Sequence, residues 1–187
     1  MTFFIAGLVV FLGIHLVPTV PALRQRLATQ LGQGGYMAVF SLLSLAGLLL
    51  IIYGFNLSPT IPIWAPPTYM QPVTRLLMLP ALILLAAAYI PSNIRNAVRH
   101  PMLLAIVLWS LLHLLVNGDL AGMLLFGSVL AYGIYDFASV RARAALGPLG
   151  TRRGGLRGDV LAVGIGVLAF VFLYFIGHRW LSNIPLF

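Results

Sequence analysis

The chain has 187 residues, of which 61% are hydrophobic and only 7% charged, and its mean hydropathy is +1.04. A soluble domain carries roughly a quarter of its residues charged, so this composition excludes a water-solvated globule and leaves lipid as the solvent. The net charge of +8 comes from eleven basic residues, all arginine, against Asp119, Asp136 and Asp159. Those arginines sit in short segments between apolar runs rather than on one soluble face, so no nucleic-acid partner is expected. Cysteine and glutamate are both absent from the sequence. That removes disulfides, thiol catalysis and thiolate-held metals, together with paired-carboxylate chemistry and most proton-relay designs.

Apolar stretches of about 20 residues recur along the chain, and the alternating pattern of an outer-membrane barrel does not. The expected fold is therefore all-α: a polytopic membrane helical bundle of about six transmembrane helices, forming one membrane domain over residues 1–187. The first helix is expected at 3–20; it lacks a basic leader and a small-residue cleavage site, so it reads as a retained span rather than a signal. Arg24 and Arg26 follow it. The second helix is expected at 36–55. The connector after it carries Pro59, Pro62, Trp64, Pro66, Pro67 and Tyr69, and suits an irregular interfacial segment. The third helix, 72–90, contains Pro80 and is expected to kink there.

Arg95 and Arg99 precede a fourth helix at 101–117, the shortest of the set. A turn around Gly118 without arginine leads to a fifth helix at 120–140, and Gly118 with Gly122 offers a small-residue pair for helix association. The Arg/Gly-rich loop 141–159 lacks the GxxxxGK[ST] phosphate motif and is expected to be a flexible linker facing lipid headgroups. The last helix is expected at 160–181. Arginine thus alternates between connectors, and the positive-inside rule places the arginine-bearing loops in the cytoplasm and both termini on the periplasmic side. Arg75 and Arg179 stand at the opposite helix ends, where long side chains snorkel to the headgroups.

Ionisable or ligand-type side chains at membrane depth are costly, and so are functional candidates. They are His15, His113, Asn117 and Asp119, with Arg99, His100 and Pro101 at the start of the fourth helix. His178 reads as an interfacial residue. A lone intramembrane histidine serves an interhelical hydrogen bond. Two of them, in cysteine-free and carboxylate-poor surroundings, suit the axial positions of a haem iron better than zinc or a di-iron site. His100 and His113 are about 20 Å apart along one helix at 1.5 Å per residue, so they cannot share a metal. The pairing is either His15 with His113 or His15 with His100. Trp109, His113 and Asn117 recur at i, i+4 and i+8 on one helix face. That stripe suits either a haem pocket wall or a packed seam. Arg99 and Arg95 suit either haem propionates or topology determinants.

The run RHPMLLAIVLWSLLHLLVNGDLAGMLLFGSVLAYGIYD, with GIHLVPTVPALRQRL near the start, resembles the NnrU family of bacterial membrane proteins over residues 1–147. That family is associated with nitric oxide and nitrite metabolism. It is similar to plant 15-cis-ζ-carotene isomerase, a haem b enzyme that isomerises a central double bond of a linear carotene. The resemblance implies a bacterial inner-membrane protein, haem b ligation by His15 and His113, and an apolar polyene as a candidate substrate. Ser110 stands where the isomerase carries a cysteine, so the resemblance implies haem without that enzyme's cysteine ligand switch. The alternative function is a non-enzymatic accessory or assembly protein of nitrogen-oxide respiration. The RHP element also resembles membrane S-adenosylmethionine-dependent methyltransferases, but the downstream glutamates of those enzymes are missing. A small transporter is disfavoured by the lack of internal repeats and of matched broken helices.

Overall fold

A computed structural model describes residues 1–144 and 147–182. The chain is 79% helical with no strand among the described residues, so the fold is all-α. Five helical segments are long and apolar enough to cross a membrane: Thr2–Thr19, Pro21–Asn56, Met70–Ala87, Leu120–Ala142 and Leu156–Leu181. The helices pack into two compact units, Met1–Thr60 and Ile61–Phe187.

The first unit is a helical hairpin of α1 (Thr2–Leu16) and α2 (Pro21–Asn56). A 3-10 turn at Val17–Thr19, carrying Pro18, ends α1, and Pro21 opens α2 at a position that needs no amide donor. The connector expected at 21–35 is instead the first part of α2. It is rich in good helix formers, and the helix breaks only at Gly32, where φ is 71° and ψ 160°. A side chain there would be strained, whereas glycine is not. The two helices meet along a glycine seam. A β-carbon on Gly47 would lie 2.8 Å from the backbone nitrogen of Phe11, and one on Gly7 would lie 2.6 Å from that of Ile51. In hydrocarbon, where burial between helices gains little, such close backbone approach is what drives association. Phe4 is fully buried beside this seam.

The second unit holds α3 (Met70–Ala87), α4 (Asn93–Val98), α5 (Pro101–Leu114), α6 (Leu120–Ala142), α7 (Leu156–Phe172) and α8 (His178–Ser182). Helix α3 packs against both α5 and α7, and α5 against α6. The fourth expected span is cut short. Helix α5 has 14 residues, about 21 Å at 1.5 Å per residue against the roughly 30 Å of a hydrocarbon core. It stops because the next polar side chains turn the chain. The Asn117 amide donates to the His113 carbonyl at 2.8 Å, and the Asp119 carboxylate caps α6 by accepting the Gly122 N–H at 2.9 Å. The proline-rich connector lies along this turn. Ile63 and Trp64 N–H groups donate to the Gly118 carbonyl at 2.7 and 3.1 Å, and Leu120 N–H to the Ile61 carbonyl at 2.8 Å. A β-carbon on Gly118 would collide with the Trp64 carbonyl, so this glycine is already engaged within the chain.

At the other end of α5 the arginines gather. Arg95, buried to 7% exposure, donates from Nη1 to the Arg152 carbonyl at 2.6 Å and from Nη2 to the Gly150 carbonyl at 2.7 Å. Asp159 accepts from Asn93 Nδ2 at 2.7 Å and from Ile94 N–H at 3.0 Å. The loop expected to be a flexible linker is therefore pinned to α4 from both sides, although residues 145–146 of it lie outside the described residues. Asp159 sits within α7, which begins at Leu156, earlier than expected.

Candidate functional site

Each membrane histidine is held by its own helix. His113 Nδ1 lies 2.8 Å from the Trp109 carbonyl, and His15 Nδ1 lies 2.7 Å from the Phe11 carbonyl. A carbonyl accepts only, so Nδ1 carries the proton in both rings and Nε2 carries the lone pair. Fixing the tautomer and ring direction through Nδ1 is the usual way a protein prepares an imidazole as a metal ligand.

Aromatic rings surround both. In the first unit, Phe11 lies 4.2 Å from the His15 ring centroid and Phe40 meets it edge-on at 5.2 Å. Tyr36, Phe40 and Ser44 follow at helical spacing on α2, and the buried hydroxyls of Tyr36 and Ser44 have no hydrogen-bond partner. Buried hydroxyls without partners are uncommon in native proteins and call for an explanation. In the second unit, Trp109 stands 4.9 Å from His113 and Phe126 stacks on it at 4.6 Å.

The structure also brings to His113 a residue that the sequence placed at the interface. His178 lies 6.4 Å from the His113 ring, with the planes 18° apart. The π-helical turn Leu173–Gly177 immediately precedes His178. Such turns insert an extra residue into the helical period and recur at functional sites; this one re-aims His178.

Other candidates take structural roles. Asn117 bonds the His113 backbone rather than its ring, and Asp119 is a helix cap. Ser110 is fully buried, its hydroxyl donating to Ile106 and Val107 carbonyls at 2.7 and 3.1 Å. Among the described residues no group of three or more His, Cys, Asp or Glu side chains could hold a metal ion.

Arg99 and His100 form a separate feature at the opposite end of α5, His100 lying about 20 Å from His113 at 1.5 Å per residue. Arg99 has φ 64° and ψ −47°, and His100 N–H donates across it to the Val98 carbonyl at 2.8 Å. This is a γ-turn of the rare positive-φ kind, which costs of order 1–3 kcal/mol at a residue with a side chain. It borders a cavity of about 200 Å³ whose lining includes Arg95, Arg99, His100 and Asp136.

No curated protein and no solved structure matches the chain. The model of a family described as NnrU protein matches residues 3–186, extending past the region that carries the resemblance in sequence and through the last helix. With the match running from the first helix to the last, the protein belongs to the NnrU family.

Proposed function

We propose that this membrane protein binds haem b, with His113 as an axial ligand, and acts in redox or nitric-oxide-related chemistry. The observation that carries this reading is the preparation of His113: Nδ1 is tied to the Trp109 carbonyl, aromatic rings surround the imidazole, and Nε2 is left as the donor. His15, whose Nδ1 is tied to the Phe11 carbonyl, is the second ligand that family resemblance implies. A second reading gives the second position to His178, on the strength of its distance from His113. Bound haem supplies a one-electron couple and an iron that takes up small diatomic ligands.

Carotene isomerisation is the less favoured activity, because the Ser110 hydroxyl is committed to helix carbonyls and offers no thiolate to exchange on the metal. A non-enzymatic accessory role in nitrogen-oxide respiration remains the alternative. We place the chain in the bacterial inner membrane with both termini periplasmic, on the positions of its arginines. A reporter fused after Arg153 then reads as cytoplasmic.

Protein purified in mild detergent after haem-supplemented expression tests the proposal. A Soret band that disappears in His113→Ala supports it, and a colourless wild-type preparation overturns it. Conversion of the ferric protein from low to high spin in His15→Ala or in His178→Ala identifies the second ligand. Reduced protein incubated with a cis-ζ-carotene, assayed for product, separates an isomerase from an accessory protein.

A further inference from the structure

The arginine-rich end of the second unit has the parts of an anion site. Helix α5 begins at Pro101 with no side-chain cap, so its first-turn amides at Met102 and Leu103 face outward without helical acceptors. Both residues line the same cavity as Arg95, Arg99 and His100. A helix N-terminus already favours negative charge, and here two guanidinium groups stand beside it. The acid in the wall does not cancel them. Asp136 is paired with Arg143 at 2.7 Å and accepts the Tyr132 hydroxyl at 3.4 Å. Arg95 is bonded to carbonyls only, which satisfy its donors but not its charge. Arg99 makes no ion pair among the described residues.

A second cavity of about 320 Å³ lies between α3 and α7. It is an apolar groove whose lining includes Leu82, Leu85, Tyr89, Ile165 and Ala169. A lining residue of one touches a lining residue of the other: the Tyr89 hydroxyl donates to Met102 Sδ at 3.6 Å. A cationic cup with an oily groove linked to it through this contact fits an amphiphile, whereas a free anion has no use for the groove.

We propose that the turn at Arg99–His100 binds the phosphate headgroup of an anionic lipid, with one acyl chain lying in the groove between α3 and α7. The guanidinium of Arg99, the His100 imidazole and the α5 amides take the phosphate oxygens, and the buried charge of Arg95 stands behind them. The site lies at the far end of α5 from His113 and is independent of whatever His113 binds.

Native mass spectrometry of the full chain, released from detergent containing either phosphatidylglycerol or phosphatidylcholine with the same acyl chains, tests this. Retention of phosphatidylglycerol alone is expected. Arg99→Gly is the informative variant, because glycine takes up the positive-φ turn freely while the guanidinium is lost. Its affinity for the lipid should fall about tenfold or more, the scale of one charge-assisted contact. Ala86→Phe, which fills the groove, should weaken lipid retention, and His113→Ala should leave it unchanged. Equal retention of both lipids, or no loss in Arg99→Gly, overturns the proposal. Displacement of the lipid by millimolar inorganic phosphate, with Ala86→Phe behaving as wild type, also overturns it in favour of a soluble phosphate ligand.

Discussion

The imidazole rings of His113 and His178 are nearly parallel, their planes 18° apart and their centroids 6.4 Å apart. The two rings form a stacked pair. This brings two imidazoles together in the second unit, and under the proposed haem binding His178 would be the candidate to share that group with His113. His178→Ala is accordingly expected to raise the high-spin fraction of the haem-loaded ferric protein, read by its absorption and paramagnetic resonance spectra. An unchanged low-spin spectrum returns the second position to His15.

The pairing of His113 with Trp109 is legible from the sequence, because both lie on one helix at a spacing of one turn. His178 is not, because a π turn changes the phase of the helix, and nothing in LYFIG announces one. The spans were legible from apolar run length alone, as at Met70–Ala87 and Leu120–Ala142. The short α5 was misread because hydropathy continues past Leu114, while the helix is ended by Asn117 and Asp119 bonding to nearby backbone. In sequence, a side chain committed to a local bond and one held ready for a ligand are the same letter. Helix α4 was missed because one of its caps, Asp159, comes from a distant part of the chain.

The seam between α1 and α2 tolerates no side chain at Gly47, where a β-carbon would sit 2.8 Å from the Phe11 nitrogen. Because the obstacle is backbone, it cannot swing aside. Gly47→Leu should destabilise the hairpin by about 1–3 kcal/mol or more through overpacking. An SDS-titration unfolding curve measures the loss, and Gly13→Leu, with open space around its β-carbon, serves as the neutral control. Equal midpoints for the two variants would contradict the seam.

Arg95 holds the loop after α6 by two short bonds, to the carbonyls of Gly150 and Arg152. Arg95→Met keeps roughly the length of the side chain and removes both donors, leaving the two carbonyls to solvent and the loop without this tie. The loop should then open more often. Trypsin cleavage after Arg152 and Arg153 should quicken by about tenfold or more, with the helices themselves remaining protected. Cleavage at the wild-type rate would mean that the loop is held by other contacts.

His100 gives the arginine-rich end a pH dependence of defined sign. Burial lowers its pKa below the ordinary 6.5; Asp136 opposes this, and Arg141, Arg99 and Arg95 add to it. The folded protein therefore resists protonation of this ring, while the unfolded chain takes up the proton at about 6.5. Its contribution is full above that pH and declines as pH falls through 6.5 toward the folded value. The difference in thermal midpoint between wild type and His100→Gln should be flat from about pH 8 to 6.5 and shift against the wild type below it. A bound phosphate reverses the balance by favouring the imidazolium, so lipid binding should take up a proton and tighten as pH falls. Phosphatidylglycerol retention that is independent of pH in wild type and in His100→Gln alike would remove His100 from the site and leave the anion to Arg99 and the α5 amides.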